Sequence, residues 1–324
     1  MNNVKTLNKK RNISFADLYS RYGIFAILLG AVIISAILSP TFMTTRNIVN
    51  ILRQNVVIAV IAFGTQFIML AGDIDLSSGS VAAFTGCMAA QVMASTGNIV
   101  LSFLTGLVCG ALIGALNGVV ITQLRIPAFI MTLASQTIFR GLMYIFTNAK
   151  PITGLAESFA WMGQGHIGPI PVPIFVLVII FVISWVLLNR TSFGRHVLAV
   201  GGNREAALAS GINTDRVRIK AFIYGGLMAA LGGFVLMSRI NSGQPNSAVA
   251  FEFDAITAVV IGGTSMSGGL GTVYGTLAGA YFVGVLINIM TLMNVSAYYQ
   301  QVVQGLIIAI AVIIDVSVRR VKRS

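Results

Sequence analysis

The stretch that decides the fold is VVIAVIAFGTQFIMLAGDIDLSSGSVAAFTGCMAA, residues 56–90, in which two apolar runs flank a polar centre. A membrane helix needs about 20 predominantly apolar residues, and each run approaches that length. A charge at mid-bilayer costs about 2.5–3.5 kcal/mol on insertion scales, so Asp73 and Asp75 should face protein or water. Because Gly72 and Gly79 weaken helical continuity, we expect a broken helix whose freed backbone groups line a cavity.

The composition extends this conclusion to the whole chain. Of the 324 residues, 56% are hydrophobic and only 9% are charged, whereas a soluble domain carries about a quarter charged residues. The apolar runs are near-continuous and lack the alternation of an outer-membrane barrel. The sequence therefore predicts an all-α integral membrane protein. The net charge of +12 comes from basic loops and termini, which topology explains better than nucleic-acid binding.

The apolar runs predict about ten transmembrane helices, and counts from eight to eleven remain defensible. Ten spans divide into two halves of five, about 22–147 and 171–316. Because five is an odd number, the second half starts on the opposite side of the membrane and is inverted relative to the first. The stretches GALIGALNGVVI (110–121) and GTLAGAYFVGVLI (275–287) resemble each other, although small-residue patterns recur in any helical bundle. The expected spans are 22–39, 55–71, 78–95, 99–123, 127–147, 171–189, 219–239, 254–270, 272–291 and 298–316.

The distribution of basic residues predicts the orientation. Most of the 21 lysines and arginines fall on the side of the N-terminus when ten spans are assumed, and cytoplasmic loops carry such an excess. We therefore expect a cytoplasmic segment 1–21, one transmembrane domain 22–316 and a cytoplasmic tail 317–324. The loop 190–218 is then cytoplasmic, and the loop 148–170 is external.

Span four carries a glycine at every fourth position: Gly106, Gly110, Gly114 and Gly118. Residues at this spacing share one helix face, and small residues let membrane helices approach closely. We expect a tight helix–helix contact along this stripe. Asn117 lies next to it.

The polar centre allows two compatible interpretations. Asp75, Ser77 and Ser78 are good residues to cap the helix that follows. The aspartates could instead line a transport path and hydrogen-bond a polar substrate. A second break, IGGTSMSGGLGT (261–272), is rich in glycine and hydroxyl groups but uncharged. The candidate path residues are Asp73, Asp75, Ser77, Ser78, Asn117, Thr264 and Ser265.

One short helix is expected outside the membrane, within the basic loop 190–218. In NREAALASG (203–211), Asn203 is a good N-cap, Glu205 suits the positive end of the helix dipole, and Gly211 suits the position after the helix. A helix this short is marginal in water and needs a partner surface. The residues expected to form the contact are Asn203, Arg204, Glu205, Ala206, Ala207, Ala209, Ser210 and Gly211.

Four long segments carry a family resemblance that covers nearly the whole chain. They resemble segments of the ribose-type permease family, the inner-membrane subunits of binding-protein-dependent sugar importers driven by ATP. Asp73 and Ser78 depart from the family pattern, which usually has glycine and valine there. The segments are GDIDLSSGSVAAFTG (72–86), LAVGGNREAALASGI (198–212), QPNSAVAFEFDAITAVVIGGTSMSGGLGTVYGTLAGA (244–280) and NVSAYYQQVVQGLIIAIAV (294–312).

The resemblance implies partners and a location. Two copies of the permease would form the pore in the lipid of a bacterial cytoplasmic membrane. Two cytoplasmic ATPase domains, or one fused double ATPase, would dock near residues 203–211. An extracytoplasmic sugar-binding protein would deliver a monosaccharide to the outer loops. ATP and Mg²⁺ would be bound by the ATPase, and this chain would be a non-catalytic subunit.

The residues give independent reasons for the same assignment. The sequence has no G-x-x-x-x-G-K-[ST] phosphate-binding loop, so hydrolysis of ATP by this chain is not expected. Two histidines and two cysteines give no metal-ligand cluster. The alternative is an ion-coupled secondary sugar transporter that uses Asp73 and Asp75 as its ion site. Arg140, inside span five, should either snorkel outward or pair with Glu252 or Asp254.

Overall fold

The computed structural model describes the backbone of residues 15–323 and the side chains of residues 23–310 and of Ile313. The start of the expected segment 1–21 and the last residue of the expected tail 317–324 lie outside these residues.

The described residues contain thirteen helices and one short β-hairpin. The helices are α1 Phe15–Leu38, α2 Thr45–Leu70, α3 Ser78–Thr96, α4 Ile99–Gln123, α5 Ala128–Thr147, α6 Glu157–Gln164, α7 Val172–Arg190, α8 Ser192–Gly202, α9 Arg204–Ala209, α10 Thr214–Ile240, α11 Phe251–Ile261, α12 Val273–Leu292 and α13 Ala297–Arg323. The hairpin pairs β1 His166–Ile167 with β2 Ile170–Pro171 in antiparallel register.

Six described helices are long and apolar enough to cross a membrane, namely α2, α4, α5, α7, α10 and α12, and the stretch Gly23–Leu38 of α1 is a shorter apolar helix. The protein is therefore a mostly helical, multi-pass membrane protein. Each expected span overlaps a helix, but not every one is a full-length crossing.

The expected span 254–270 is wrong as a continuous helix. Helix α11 has only 11 residues, which cover about 16 Å and cannot cross a hydrocarbon core of about 30 Å. The chain then turns through glycines in the left-handed region, with φ values of 85° at Gly263, 88° at Gly268 and 76° at Gly269. Glycine adopts these angles without steric cost, so the break at 261–272 ends the helix.

The break between α2 and α3 is present where the polar centre predicts it. Helix α2 ends at Leu70, Gly72 has a φ of 87°, and α3 begins at Ser78. The intervening residues are not helical, and Asp75 among them is buried.

Helix α10 is the centre of the bundle and packs against α2, α3 and α4. In its most apolar stretch 89% of the residues are buried, whereas the corresponding share is 28% in α4 and 17% in α5. The exposed faces of α4 and α5 carry large apolar side chains such as Leu112 and Ile145. Such faces suit contact with lipid tails.

The glycine stripe of α4 lies at two helix contacts. Gly110, Gly114 and Gly118 face α10, and a Cβ added to Gly114 would stand 3.0 Å from the Cα of Ile223. Gly106 faces α3 instead. The two backbones approach so closely because α4 places no side chain between them at these glycines.

Candidate functional site

The break between α2 and α3 runs as an extended segment along α5. The backbone N–H of Leu76 donates to Thr132 Oγ1 over 3.1 Å, and Thr132 Oγ1 donates to the carbonyl of Ile74 over 3.3 Å. Asp75 Oδ1 accepts from the backbone N–H of Ser77 over 2.7 Å and from its hydroxyl over 2.6 Å. Asp75 thus holds the turn that leads into α3, as a capping residue would.

Four of the candidate path residues come together at this turn. Asn117 Nδ2 on α4 donates to Ser77 Oγ over 3.2 Å. A small cavity of about 10 Å³ lies beside Asp75, Ser77, Ser78 and Asn117. The hydroxyl of Ser78 and the amide oxygen of Asn117 are buried there without a hydrogen-bond partner. These two atoms are the polar groups of the cluster with unused hydrogen-bonding capacity.

Asp73 lies apart from that cluster and forms an ion pair with Arg218 near the start of α10. Arg218 Nε donates to Asp73 Oδ2 over 2.6 Å, and Arg218 Nη2 donates to Asp73 Oδ1 over 2.7 Å. The two side chains are only 8% and 10% exposed. Paired carboxylate and guanidinium groups with two short bonds form a strong, geometrically defined contact.

Thr264 and Ser265 lie at the second break, beside the end of α2. Gln66 Nε2 on α2 donates to Thr264 Oγ1 over 3.4 Å, and the backbone N–H of Gly269 donates to the carbonyl of Leu70 over 3.0 Å. Gly201, at the end of α8, lies against the same carbonyl with no room for a side chain. Three distant parts of the chain meet here through backbone atoms.

Among the described residues, Arg140 does not form the ion pair with Glu252 or Asp254 that is one of its two expected alternatives. Its guanidinium is half-buried and donates to the carbonyls of Ser247 over 2.8 Å and of Ala248 over 3.2 Å, and to Ser80 Oγ over 3.2 Å. Arg140 instead holds the loop between α10 and α11 against the start of α3.

The first turns of α3 and α11 meet beside this arginine. Glu252 Oε1 accepts from Gln136 Nε2 over 2.7 Å, and its other oxygen is buried without a partner, facing Gly79. Asp254 is also buried in the first turn of α11. The positive end of a helix dipole favours such carboxylates. The arrangement places the N-termini of α3 and α11 next to each other inside the bundle.

The short helix that the sequence predicts outside the membrane is α9. Asn203 Oδ1 accepts from the backbone N–H of Ala206 over 2.9 Å, and Gly211 follows the helix with a φ of 82°. Arg204 on α9 forms an exposed ion pair with Asp215 in the first turn of α10, at 2.9 Å.

The two faces of α9 differ. Ala207 is 4% exposed and packs against the rest of the protein, whereas Leu208 is 63% exposed. The other expected contact residues are exposed as well: Asn203, Arg204, Glu205, Ala206, Ala209, Ser210 and Gly211. Sequence reasoning missed Leu208, which is the one leucine of the alanine-rich helix α9 and a large apolar side chain on its exposed side.

A cavity of about 680 Å³ lies between α9 and the break after α2. Asp73 and Arg218 contribute to its wall, and so do Arg204, Leu208 and Arg125 in the turn between α4 and α5. The wall therefore contains three arginines. Sequence reasoning did not identify Arg125 or Arg218 as part of this region.

Comparisons with known proteins agree on the kind of protein this chain resembles. A family model described as "Branched-chain amino acid transport system / permease component" matches residues 47–312. The ribose import permease protein RbsC of Bacillus subtilis (strain 168) is 43% identical over 309 residues, which cover 95% of this chain and 96% of that protein.

Further relatives have similar coverage. The ribose import permease protein RbsC of Escherichia coli (strain K12) is 39% identical over 315 residues, covering 96% of this chain and 98% of that protein. The L-arabinose transport system permease protein AraH of the same organism is 38% identical over 315 residues, covering 97% and 96%. No solved structure matches the chain.

Proposed function

This chain belongs to the family of transport-system permease components whose model matches residues 47–312, and on that premise we propose that it is the membrane subunit of an ATP-driven monosaccharide importer. The observation that carries the proposal is the 43% identity to a ribose import permease over 95% of the chain. The family description refers to branched-chain amino acids, but the similar ribose and arabinose permeases favour a sugar as substrate.

Energy reaches the chain from a partner ATPase that binds α9. The exposed side of α9 carries Leu208 between polar residues, while Ala207 anchors the helix to the bundle. ATP and Mg²⁺ bind to the ATPase, because the sequence offers no phosphate-binding loop. ATP-driven closure of the ATPase would move α9 and shift the permease between outward-open and inward-open states. This chain therefore acts as a non-catalytic subunit.

The packing of the helices supports two inverted halves, about 22–147 and 171–316. The contact of α4 with α10 in one half corresponds to the contact of α12 with α2 in the other. In the same way, α3 packs on α4 and α5, and α11 packs on α12 and α13. The contact of α3 with α10 likewise matches that of α11 with α2. Ten membrane segments then pair as equivalents, and both α3 and α11 start inside the bundle.

The substrate path and the remaining partners complete the proposal. Ser78 and Asn117 supply the free polar atoms for sugar hydroxyls when the bundle opens, whereas Asp75 mainly holds the turn. A second copy of the permease forms the pore, and an extracytoplasmic sugar-binding protein docks on the external loop 148–170. The chain lies in the cytoplasmic membrane of a bacterium with both termini in the cytoplasm.

Transport by the reconstituted complex tests the proposal. The permease is inserted into lipid vesicles with its cognate ATPase, and binding protein is added outside with radiolabelled ribose, arabinose or leucine. We expect ribose or arabinose to accumulate only when ATP is enclosed, and an uncoupler to have no effect. Accumulation of leucine alone would overturn the substrate class. Accumulation driven by an ion gradient without ATPase would establish the secondary transporter instead.

A further inference from the structure

We propose that the ion pair between Asp73 and Arg218 is a mechanical link through which α9 moves the broken segment between α2 and α3. The inference rests on the proposed function, because it explains how a force applied to α9 would reach the membrane-embedded part of the permease.

The pair has a bidentate geometry. Two donors of one guanidinium bind both oxygens of one carboxylate, over 2.6 and 2.7 Å. Such a fork fixes orientation as well as distance, which a single bond from a lysine would not do. Both side chains are almost fully shielded from solvent, so ions in the cytoplasm screen the attraction little.

The two partners are attached to different parts of the protein. Arg218 lies one turn after the start of α10, and Asp215 in the first turn of α10 is paired with Arg204 of α9. The backbone N–H of Asp73 donates to the carbonyl of Ile68 over 3.1 Å, which ties it to the last turn of α2. The pair therefore joins the unit formed by α9 and the start of α10 to the end of α2.

The pair lies in the wall of a gap between α9 and the broken segment. The cavity of about 680 Å³ separates α9 from the segment that contains Gly72, Asp73 and Ile74. Movement passes between elements through contiguous packed or bonded groups, and a cavity provides none. The backbone contact of Gly201 with Leu70 also joins α8 to the end of α2, whereas the ion pair in the wall of the cavity is the bond through which the start of α10 acts on Asp73 itself. Two residues further along, Asp75 holds the turn into α3.

The test measures coupling in vesicles that contain the permease and its ATPase, with binding protein and sugar outside. For each variant, sugar uptake and ATP hydrolysis are measured together. For D73N and for R218Q we expect uptake to fall at least fivefold while hydrolysis changes less than twofold. The charge-exchanged variant D73R/R218D should regain part of the uptake. The control K220Q removes an exposed charge from the same helix and should keep the wild-type ratio.

The double variant D73N/R218Q separates coupling from stability. Either single variant leaves a buried charge unpaired, which destabilises a protein, but the double variant leaves none. We expect it to regain the thermal stability of the wild type and to remain uncoupled. A wild-type ratio of uptake to hydrolysis in the double variant would overturn the inference. Parallel loss of uptake and hydrolysis in a stable variant would also overturn it, because that result indicates impaired docking.

The wild-type protein in the same vesicles distinguishes the two proposals. If its uptake does not depend on ATP, the proposed function is wrong whatever the variants do. If its uptake depends on ATP and D73N/R218Q couples normally, only the inference about the ion pair is wrong.

Discussion

Replacing Gly114 by alanine should destabilise the protein, whereas the same replacement at Gly141 should stabilise it slightly. Both glycines lie inside apolar helices, α4 and α5. A Cβ at Gly114 would overlap the carbonyl of Phe222 and stand 3.0 Å from the Cα of Ile223. These are backbone atoms of α10 and cannot rotate away. No heavy atom lies within 4 Å of a Cβ at Gly141.

The expected difference follows from two opposing contributions. Forcing an extra methyl group into a packed interior costs about 1–3 kcal/mol. Exchanging a helical glycine for alanine contributes about 0.5–1 kcal/mol of stability in the other direction. The free energy of unfolding should therefore fall by roughly 0.5–2 kcal/mol for G114A and rise by roughly 0.5–1 kcal/mol for G141A. The two midpoints of thermal unfolding should differ by several degrees, at roughly 2–4 °C per kcal/mol.

The assay uses the buried thiol of Cys87 on α3. This thiol is fully buried, so a thiol-reactive dye labels it only when the bundle opens. Cys109 is half-buried and is replaced by serine in all samples. The purified variants are heated in detergent with the dye, and the midpoints are compared. If G114A unfolds at or above the temperature of G141A, the close backbone contact between α4 and α10 is refuted.

Three further substitutions test the site. L208E should weaken binding of the ATPase in a pull-down without changing the unfolding temperature, because Leu208 is exposed. N203A should cost α9 about 1 kcal/mol by removing its N-cap, and it should raise amide hydrogen exchange in α9 and slow sugar uptake several-fold. R140Q should lower the free energy of unfolding by about 2–4 kcal/mol, because the carbonyls of Ser247 and Ala248 lose a charged donor. R140K should recover only part of this lost stability in the thermal assay.

Features with a local cause could be predicted from the sequence. The break after α2 follows from glycine and aspartate within an apolar run, and the bounds of α9 follow from Asn203 and Gly211. The regular spacing of the glycines on α4 indicated a helix contact, although not which helix it would meet. Each of these inferences needs only neighbouring residues and the geometry of one helix.

Features that depend on distant residues could not be predicted. Asp73 and Arg218 are 145 positions apart, and nothing in the local pattern of either residue points to the other. Arg140 binds backbone carbonyls of a loop more than a hundred positions away, and carbonyl acceptors leave no trace in a sequence. The span 254–270 failed for a different reason: its hydropathy remained high while its glycines adopted left-handed angles.

The junction of Leu70, Gly201 and Gly269 has a practical consequence. The junction is built from main-chain atoms, so a change of side-chain rotamer cannot compensate for a shift there. The three segments should therefore move as a unit. The adjoining Gly202 is exposed, and a Cβ at that position would have no heavy atom within 4 Å. A cysteine there would accept a fluorophore or a spin probe without disturbing its neighbours. Single-molecule experiments could then follow the movement of this junction.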